Sequence, residues 1–394
     1  MLSFLEERTS LPSDRAGRYE RQPGGFRAFI PADLPPPHLE ITESLASLLS
    51  SADIALGRLD GVVRIMPDSN RFLYQYVRRE AVLSSQIEGT HASMMDVLEF
   101  EAEQERGETQ LDVSEVINYM AAMNHGLERL ADIPLSRRLM CEVHAILMKD
   151  VRGGEASKTP GQFRTSQNWI GGGSPATARF VPPPPNEIST HFASLETFLH
   201  EEDHIPPLIK IGLAHAQFET IHPFLDGNGR TGRLLITFWL VAKEILNGPH
   251  LYMSLYFKEN KDEYINRLEA IRDEGSWEDW LEFFLDGAAQ VATEATETAV
   301  KIIDLRERDR SRIGNALGRR SANGLALHDY LFRNPMVTAR GAGRILGVSQ
   351  PTVDSLLADL MAAGILSEVT GRKRNRVFAY DEYLRLFSNV EQRS

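Results

Sequence analysis

Residues 222–233 read His-Pro-Phe-Leu-Asp-Gly-Asn-Gly-Arg-Thr-Gly-Arg. A glycine-rich loop that enters a helix exposes several backbone N–H groups beside the positive end of the helix dipole, which favours anions. Arg230 and Arg233 stand three apart, so both leave the first helical turn on nearby faces and suit a polyphosphate better than a single carboxylate. Asp226 is out of place against a bare phosphate but fits a Mg²⁺ ion, a hard cation that bridges carboxylate and phosphate oxygens. His222, just ahead of the loop, titrates near neutrality and is the natural general base. The assembled chemistry is phosphoryl or nucleotidyl transfer to a hydroxyl. Gly227, Gly229 and Gly232 also satisfy a dinucleotide fingerprint, but Pro206 to Thr220 reads as a helix and no βαβ unit follows, so a Rossmann site is rejected. A zinc hydrolase built on His215, His222 and Asp226 would leave the glycines and arginines without a task.

This segment resembles the signature of the Fic family, His-x-Phe-x-Asp/Glu-Gly-Asn-Gly-Arg-x-x-Arg, at every specified position. The resemblance extends over roughly residues 80–287. It implies AMP transfer from ATP, with Mg²⁺, to a Ser, Thr or Tyr hydroxyl of a target protein, with release of pyrophosphate. By resemblance His222 deprotonates the hydroxyl, Asp226 holds the metal and Phe224 anchors the loop. Gly227, Asn228 and Gly229 form an anion hole for the α- and β-phosphates, and Arg230 to Arg233, with Thr231 and Gly232 between them, line the β- and γ-phosphate end. Adenine is expected near Tyr264, although Ile265 departs from the second Tyr that relatives often carry. Nearer alternatives are transfer of UMP or phosphocholine, and a DNA-binding regulator whose Fic part senses nucleotide.

Ser84-Ser85-Gln86-Ile87-Glu88-Gly89 matches the family's inhibitory pattern, Ser/Thr-x-x-x-Glu-Gly/Asn. The spacing predicts a helix over 74–88 closed by Gly89 in the left-handed C′ position. Glu88 then sits at a carboxyl terminus, where the dipole disfavours an anion, and needs a cation. The resemblance supplies Arg233, with Ser84 steadying the pair. Self-inhibition is therefore expected, with auto-AMPylation or de-AMPylation as further activities.

Elements must hold these residues in place. Helical periodicity dominates residues 41–131 and returns in 135–149, 187–199, 206–220 and 229–245, the last apolar almost all round and so central. Between them, 168–170 and 178–181 flank Gly171-Gly172-Gly173-Ser174-Pro175 and read as a β-hairpin flap, expected to dock an extended piece of the target over 168–181 by strand addition. Residues 1–40 show no sustained period and are expected to be irregular. Residues 291–320 read as a solvated helix that joins two domains. Beyond Gly324, a short helix to Leu346, Gly347 and a helix from Ser349 to Ala363 form a helix-turn-helix, with Ser349 as N-cap. A hairpin with the basic tip Gly371-Arg372-Lys373-Arg374-Asn375-Arg376 follows, which looks like a winged helix. Its partner is DNA, read by Gln350, Thr352 and Ser355, or a protein.

The expected fold is mostly α, a Fic-type helical bundle with a small β-hairpin flap and a C-terminal winged helix-turn-helix. Its parts are 1–131 with the inhibitory helix at about 74–89, the catalytic domain 132–290, the linker 291–320 and the module 321–394. A charge of −12 over 394 residues argues against coating nucleic acid by bulk charge. The lone Cys141 excludes an intrachain disulfide, and no apolar run approaches the about 20 residues that span a bilayer. A cytoplasmic protein without membrane contact is expected, and a homodimer stays open.

Overall fold

The computed structural model describes residues 15–66, 69–102, 111–151, 159–372 and 375–388. It is mostly helical, as expected. A first hairpin pairs β1 (Gly17–Arg21) with β2 (Arg27–Pro31). The helices α1 (Glu43–Ile65), α2 (Ser69–Ile87), α3 (Met94–Ala102), α4 (Leu111–Arg129) and α5 (Arg137–Leu147) follow. After the flap come α6 (Ile188–His200), α7 (Pro207–Ile221), α8 (Asn228–Ala242), α9 (Ser254–Glu259), α10 (Lys261–Glu274) and α11 (Trp277–Leu317). The C-terminal module runs through α12 (Ser321–Leu331), β3 (Met336–Thr338), α13 (Ala339–Leu346), α14 (Gln350–Ala362), β4 (Ser367–Glu368), β5 (Val377–Ala379) and α15 (Asp381–Ser388). Among the described residues no helix is long and apolar enough to cross a membrane.

The frame that positions the site is the layer of α2, α4, α5, α7 and α8. In α7 every residue from Leu208 to Ile221 is buried, and in α8 all but Gly229 of Asn228 to Leu240 are. Both helices are therefore interior, with the loop 222–227 as their connection. The all-round burial explains why α8 has no polar face to read as a stripe. α4 reaches α8 closely because Gly126 has no side chain; a Cβ there would lie 2.2 Å from Phe238 Cζ.

Three expectations are corrected. Residues 17–31 are an ordered hairpin, not irregular chain: Gln22-Pro23-Gly24-Gly25 makes the turn, and Phe29 donates its N–H to the Val181 carbonyl at the foot of the flap, 2.9 Å away. Residues 1–14 lie outside the described residues. The stretch 291–320 is not a solvated linker. It continues α11, 41 residues and about 60 Å long, and buries Val291, Ala295, Ala299, Ile302, Leu305 and Ile313 on one face. The Arg/Glu run that suggested solvation covers the opposite face, with Asp309 turned inward to accept from Tyr380 Oη at 2.7 Å and Arg308 Nε at 2.9 Å. Ser349 stands at the start of α14, but its hydroxyl meets the Thr352 hydroxyl rather than capping a backbone N–H.

In the module α13 and α14 meet across Gly347, which is left-handed with φ 66°. The strands order as β3-β5-β4, all antiparallel, with Val337 opposite Phe378 and Phe378 opposite Glu368. Of the basic hairpin tip, Lys373 and Arg374 lie outside the described residues. The module is seated on α2: Gln75 Nε2 donates to the Arg333 carbonyl at 3.0 Å, and Tyr76 meets Phe387 edge-on at 5.9 Å.

The Gly126 contact yields a stability test. We expect Gly126→Ala to destabilise the protein by about 1–3 kcal/mol through overpacking against Phe238, read as a lower thermal unfolding midpoint than for the control Gly57→Ala, where a Cβ meets nothing.

Candidate functional site

α7 ends at His222, whose φ of 49° is left-handed, and α8 begins after Gly227 at φ 74°. Two left-handed residues bracket a tight loop. A non-glycine residue in that region is strained and persists only where its surroundings fix it. Here they do: Arg164 Nε donates to the His222 carbonyl at 2.9 Å, and Arg164 NH2 to the Pro183 carbonyl at 2.6 Å, which ties the loop to the foot of the flap. Arg164 is 2% exposed, and its burial holds its pKa down to about 10.

The loop is laced internally by Asn228. Its Oδ1 accepts from the Phe224 N–H and its Nδ2 donates to the Phe224 carbonyl, both at 2.8 Å. Phe224 is fully buried and stacks on His144, with ring centroids 3.7 Å apart. His144 accepts from the Gly161 N–H at Nδ1, so its proton is on Nε2 and goes to the Asp226 carbonyl, 2.9 Å away. Burial, with Arg230 nearby, pulls His144 down to about 4, which keeps it in this neutral form. The Asp226 carboxylate accepts from the Gly227 N–H at 2.7 Å. Thr231 donates its hydroxyl to the Gly227 carbonyl at 2.8 Å, so it closes the first turn of α8.

The two arginines part company, unlike the neighbouring faces expected. Arg230 is buried towards α4 and α5, with NH1 3.5 Å from Glu115 Oε2 and NH2 3.4 Å from Met148 Sδ. Glu115 also accepts from Thr90 at 2.6 Å, so one carboxylate anchors both the loop and the chain after α2. Arg233 turns to α2. It donates from Nε to Ser84 Oγ at 2.8 Å, and from NH2 to the Ser84 carbonyl at 3.0 Å and to Glu88 Oε1 at 2.7 Å. Gly89 closes this end with φ 94°, while Lys261 Nζ donates to the Ile87 carbonyl at 2.6 Å and Lys258 to Gln86 at 2.7 Å. Ser84 and Glu88 thus meet at Arg233, and Gly89 ends the helix beside them. Gly229 completes the contact: a Cβ there would lie 2.3 Å from Glu88 Oε1.

His222 places Nδ1 3.3 Å from the Glu219 carbonyl and 4.0 Å from Glu219 Oε2. A carbonyl can only accept, so the proton belongs on Nδ1 and Nε2 keeps its lone pair. Burial first, then the charge of Arg164, depresses its pKa to about 4, so the imidazole is neutral at physiological pH. Tyr264 is a correction. It is 5% exposed, its ring stacks on Phe257 at 4.5 Å and its hydroxyl reaches His215 Nε2 at 3.0 Å, so it belongs to the core rather than to an open adenine face. His215 is spent on Tyr264 and the Gly232 carbonyl, and no group of three His, Cys, Asp or Glu side chains among the described residues could hold a metal by itself. With these two bonds His215 is not available to the zinc alternative.

The flap is slighter than expected, a single antiparallel bridge between Ile170 and Phe180 with Gly171 and Gly172 left-handed at the turn. Asn168 Nδ2 donates to the Phe224 carbonyl at 2.9 Å, so the flap is fixed to the loop, and Trp169 and Ile170 are 39% and 38% exposed. His144, Arg164, Glu115 and Glu219 were not singled out from the sequence. Each stands among other polar residues in α4, α5, α7 or a turn, and no motif frames it.

Sequence profiles place a Fic/DOC family N-terminal region at residues 46–128 and the Fic/DOC domain at 134–240. The chain thus carries a Fic/DOC N-terminal region and a Fic/DOC domain. A probable protein adenylyltransferase of Aquifex aeolicus is 30% identical over 208 residues, which are 51% of this chain and 57% of that protein. The protein adenylyltransferase Fic of Drosophila willistoni is 38% identical over 78 residues, 19% of this chain and 14% of that one. The chain therefore spans under two thirds of these curated relatives. The crystal structure of a Fic family protein from Desulfovibrio desulfuricans shares the fold, with a TM-score of 0.57 at 20% identity over 87% of this chain and 98% of that one.

The Glu88–Arg233 pair of this Fic chain carries a pH signature. Burial alone would raise the Glu88 carboxyl, but the charge and hydrogen bond of Arg233 hold it below its ordinary value. A depressed carboxyl contributes its stabilisation above the unfolded pKa and loses it as pH falls through the folded one. We expect amide-exchange protection at residues 84–89 to persist down to about pH 4, the ordinary glutamate range, and to fall only below it. Glu88→Gln should show the loosened pattern already at neutral pH.

Proposed function

We propose that this protein is a self-inhibited protein adenylyltransferase, transferring AMP from ATP to a Ser, Thr or Tyr hydroxyl of a target protein. The observation that carries the reading is the loop itself: a glycine-rich turn into α8, with a neutral imidazole whose Nε2 is open at one end and a buried guanidinium at the other. In the proposed reaction His222 Nε2 takes the proton of the target hydroxyl, the freed oxygen attacks the α-phosphorus, and the bond to the β-phosphate oxygen breaks to release pyrophosphate. The N–H groups of Asn228 and Gly229, joined by that of Gly227 once it leaves the Asp226 carboxylate, stabilise charge as it develops on the phosphoryl oxygens. Arg230 lends its charge from beneath the loop, while Arg233 is the γ-phosphate ligand.

Mg²⁺ fits the donor set. One loop carboxylate, Asp226, stands at the mouth of the phosphate cradle, and a Mg²⁺ ion commonly takes one or two protein carboxylates and fills its shell with phosphate and water. When bound, the ion would neutralise phosphate charge and orient the triphosphate. With Arg233 engaged by Glu88 and Ser84, the γ-phosphate lacks its ligand, and that is the inhibition. The exposed Trp169 and Ile170 on a short bridge support the flap as the strand that a target segment extends.

The C-terminal module reads as a winged helix, and we favour a protein over DNA as its partner. Ser355 already accepts from Arg320 at 2.6 Å and Gln350 donates to Asp354 at 3.0 Å, so two of the groove-reading candidates are engaged within the chain. Asp354 and Asp359 on α14 oppose a phosphate backbone.

Incubation with α-³²P-ATP and Mg²⁺ tests the activity. We expect Glu88→Gly to raise label transfer, on the chain itself or a target, by about tenfold or more, in line with the loss of a charge-assisted pair. His222→Ala in that background should remove it, and label from UTP or CTP should not replace it. Transfer that survives His222→Ala would overturn the reading.

A further inference from the structure

We infer that Glu219 is a positioning residue for His222, its carboxylate held beside Nδ1 so that it supports the imidazolium formed when Nε2 takes the proton of the hydroxyl. This rests on the reading of His222 as the general base and goes beyond it.

The first observation is placement. Glu219 lies one turn before His222 at the end of α7, hydrogen-bonded to it through the main chain and with its carboxylate nearby. The main-chain carbonyl lies 3.3 Å from Nδ1 and Oε2 lies 4.0 Å from it. The second is an unmet need. Glu219 is 8% exposed and its Oε1 is buried without a hydrogen-bond partner, pressed against the bare Cα of Gly232, where a Cβ would come within 2.4 Å of it. Interiors rarely keep a carboxyl group unsatisfied, and those they do keep are concentrated at functional sites.

The surrounding charges explain why such a group is wanted. His222 faces Arg164, which hydrogen-bonds its carbonyl, and Arg272, which lies over the Phe180 ring at 4.0 Å; Glu88 lies across the cradle. Burial and the two cations oppose a positive imidazole, so a proton taken from the substrate would be poorly held. A carboxylate at Nδ1 is the standard physical remedy, seen wherever an acid orients and sustains a catalytic histidine.

The same surroundings make the support conditional. Glu219 faces Arg233 and Arg272, which favour its anion, and Glu88 and the Tyr264 hydroxyl on its other sides. Burial pushes its carboxyl up, Arg233 offsets part of that, and the negative Glu88 adds to the rise, to about 7. Removing Glu88 removes one cause of that rise. Before nucleotide binds, loss of the Glu88 contact therefore frees Arg233 and moves Glu219 towards the charged form that His222 needs.

The test uses the full chain in the Glu88→Gly background, with Glu219→Gln as the near-isosteric probe and Glu219→Asp as the conservative one. We expect Glu219→Gln to lower kcat for AMP transfer at least tenfold, to leave KM for ATP within about twofold, and to displace the acidic limb of the pH profile to lower pH. Glu219→Asp should restore part of kcat and return that limb towards the parent. A ¹H–¹⁵N NMR titration of His222, assigned by its loss in His222→Gln, should give a lower pKa in Glu219→Gln than in the parent, whether or not transfer is measured. An unchanged His222 titration would overturn the inference. So would an equal rise in KM accompanied by a lower unfolding midpoint and no shift of the pH profile, since that is what a merely structural acid produces. If the Glu88→Gly parent itself shows no His222-dependent transfer, the adenylyltransferase reading fails separately, and the titration still decides the role of Glu219.

Discussion

A guanidinium with 1% of its side chain exposed cannot be left without a partner, and at Arg233 that constraint organises the site. Breaking a buried ion pair from one side strands the other charge, at a cost of about 3–5 kcal/mol. Arg233 therefore always holds something. Here it holds Ser84 and Glu88, with its own charged state strengthened by the glutamate. The Glu88 side chain is 39% exposed, so this half of the pair can reach solvent while the other cannot. That asymmetry makes exchange of the glutamate for an external polyanion physically reasonable: the cation stays, and only its counterion changes.

The rest of the site is arranged so that this exchange need not disturb the loop. Asn228 closes the loop on itself through Phe224, His144 carries the Asp226 carbonyl, Arg164 grips the His222 carbonyl, and Asn168 joins the flap to Phe224. Most of these bonds go to main-chain carbonyls; the Phe224 and Gly227 amides are held by the Asn228 and Asp226 side chains. Glu80, buried one turn before Ser84 on α2, accepts from Tyr119 and Ser254, and it fixes the middle of α2 to α4 and α9 while burial raises its carboxyl to about 7.

Much of this was legible in the sequence because the signal is dense. His222 to Arg233 states its own chemistry, the apolar run after Arg233 demands a central helix, and Ser84 with Glu88 is an acid in an unfavourable place on a helix. Arg230 was misjudged because helical spacing gives the angle at which a side chain leaves the helix, not the partner it finds; Glu115 lies 115 positions away. Tyr264 was placed near adenine because its position in the sequence does not show that Phe257 and His215 fold against it. The long α11 was cut in two because one face of its second half is charged, and a heptad stripe of Ala and Ile beside Arg and Glu is easily read as solvated. Supporting residues such as Arg164 act through tertiary contacts with main-chain atoms, and such contacts leave no periodic trace.

Position 229 lacks a side chain, and its bare Cα is what admits the Glu88 oxygen. On the proposed reading the same vacancy admits a phosphate oxygen to the loop amides, so lock and key are cut to one clearance. A residue bulky enough to evict the glutamate would also wall off the nucleotide. Permanent activation is therefore reachable from the glutamate's side of the contact, not from the glycine's.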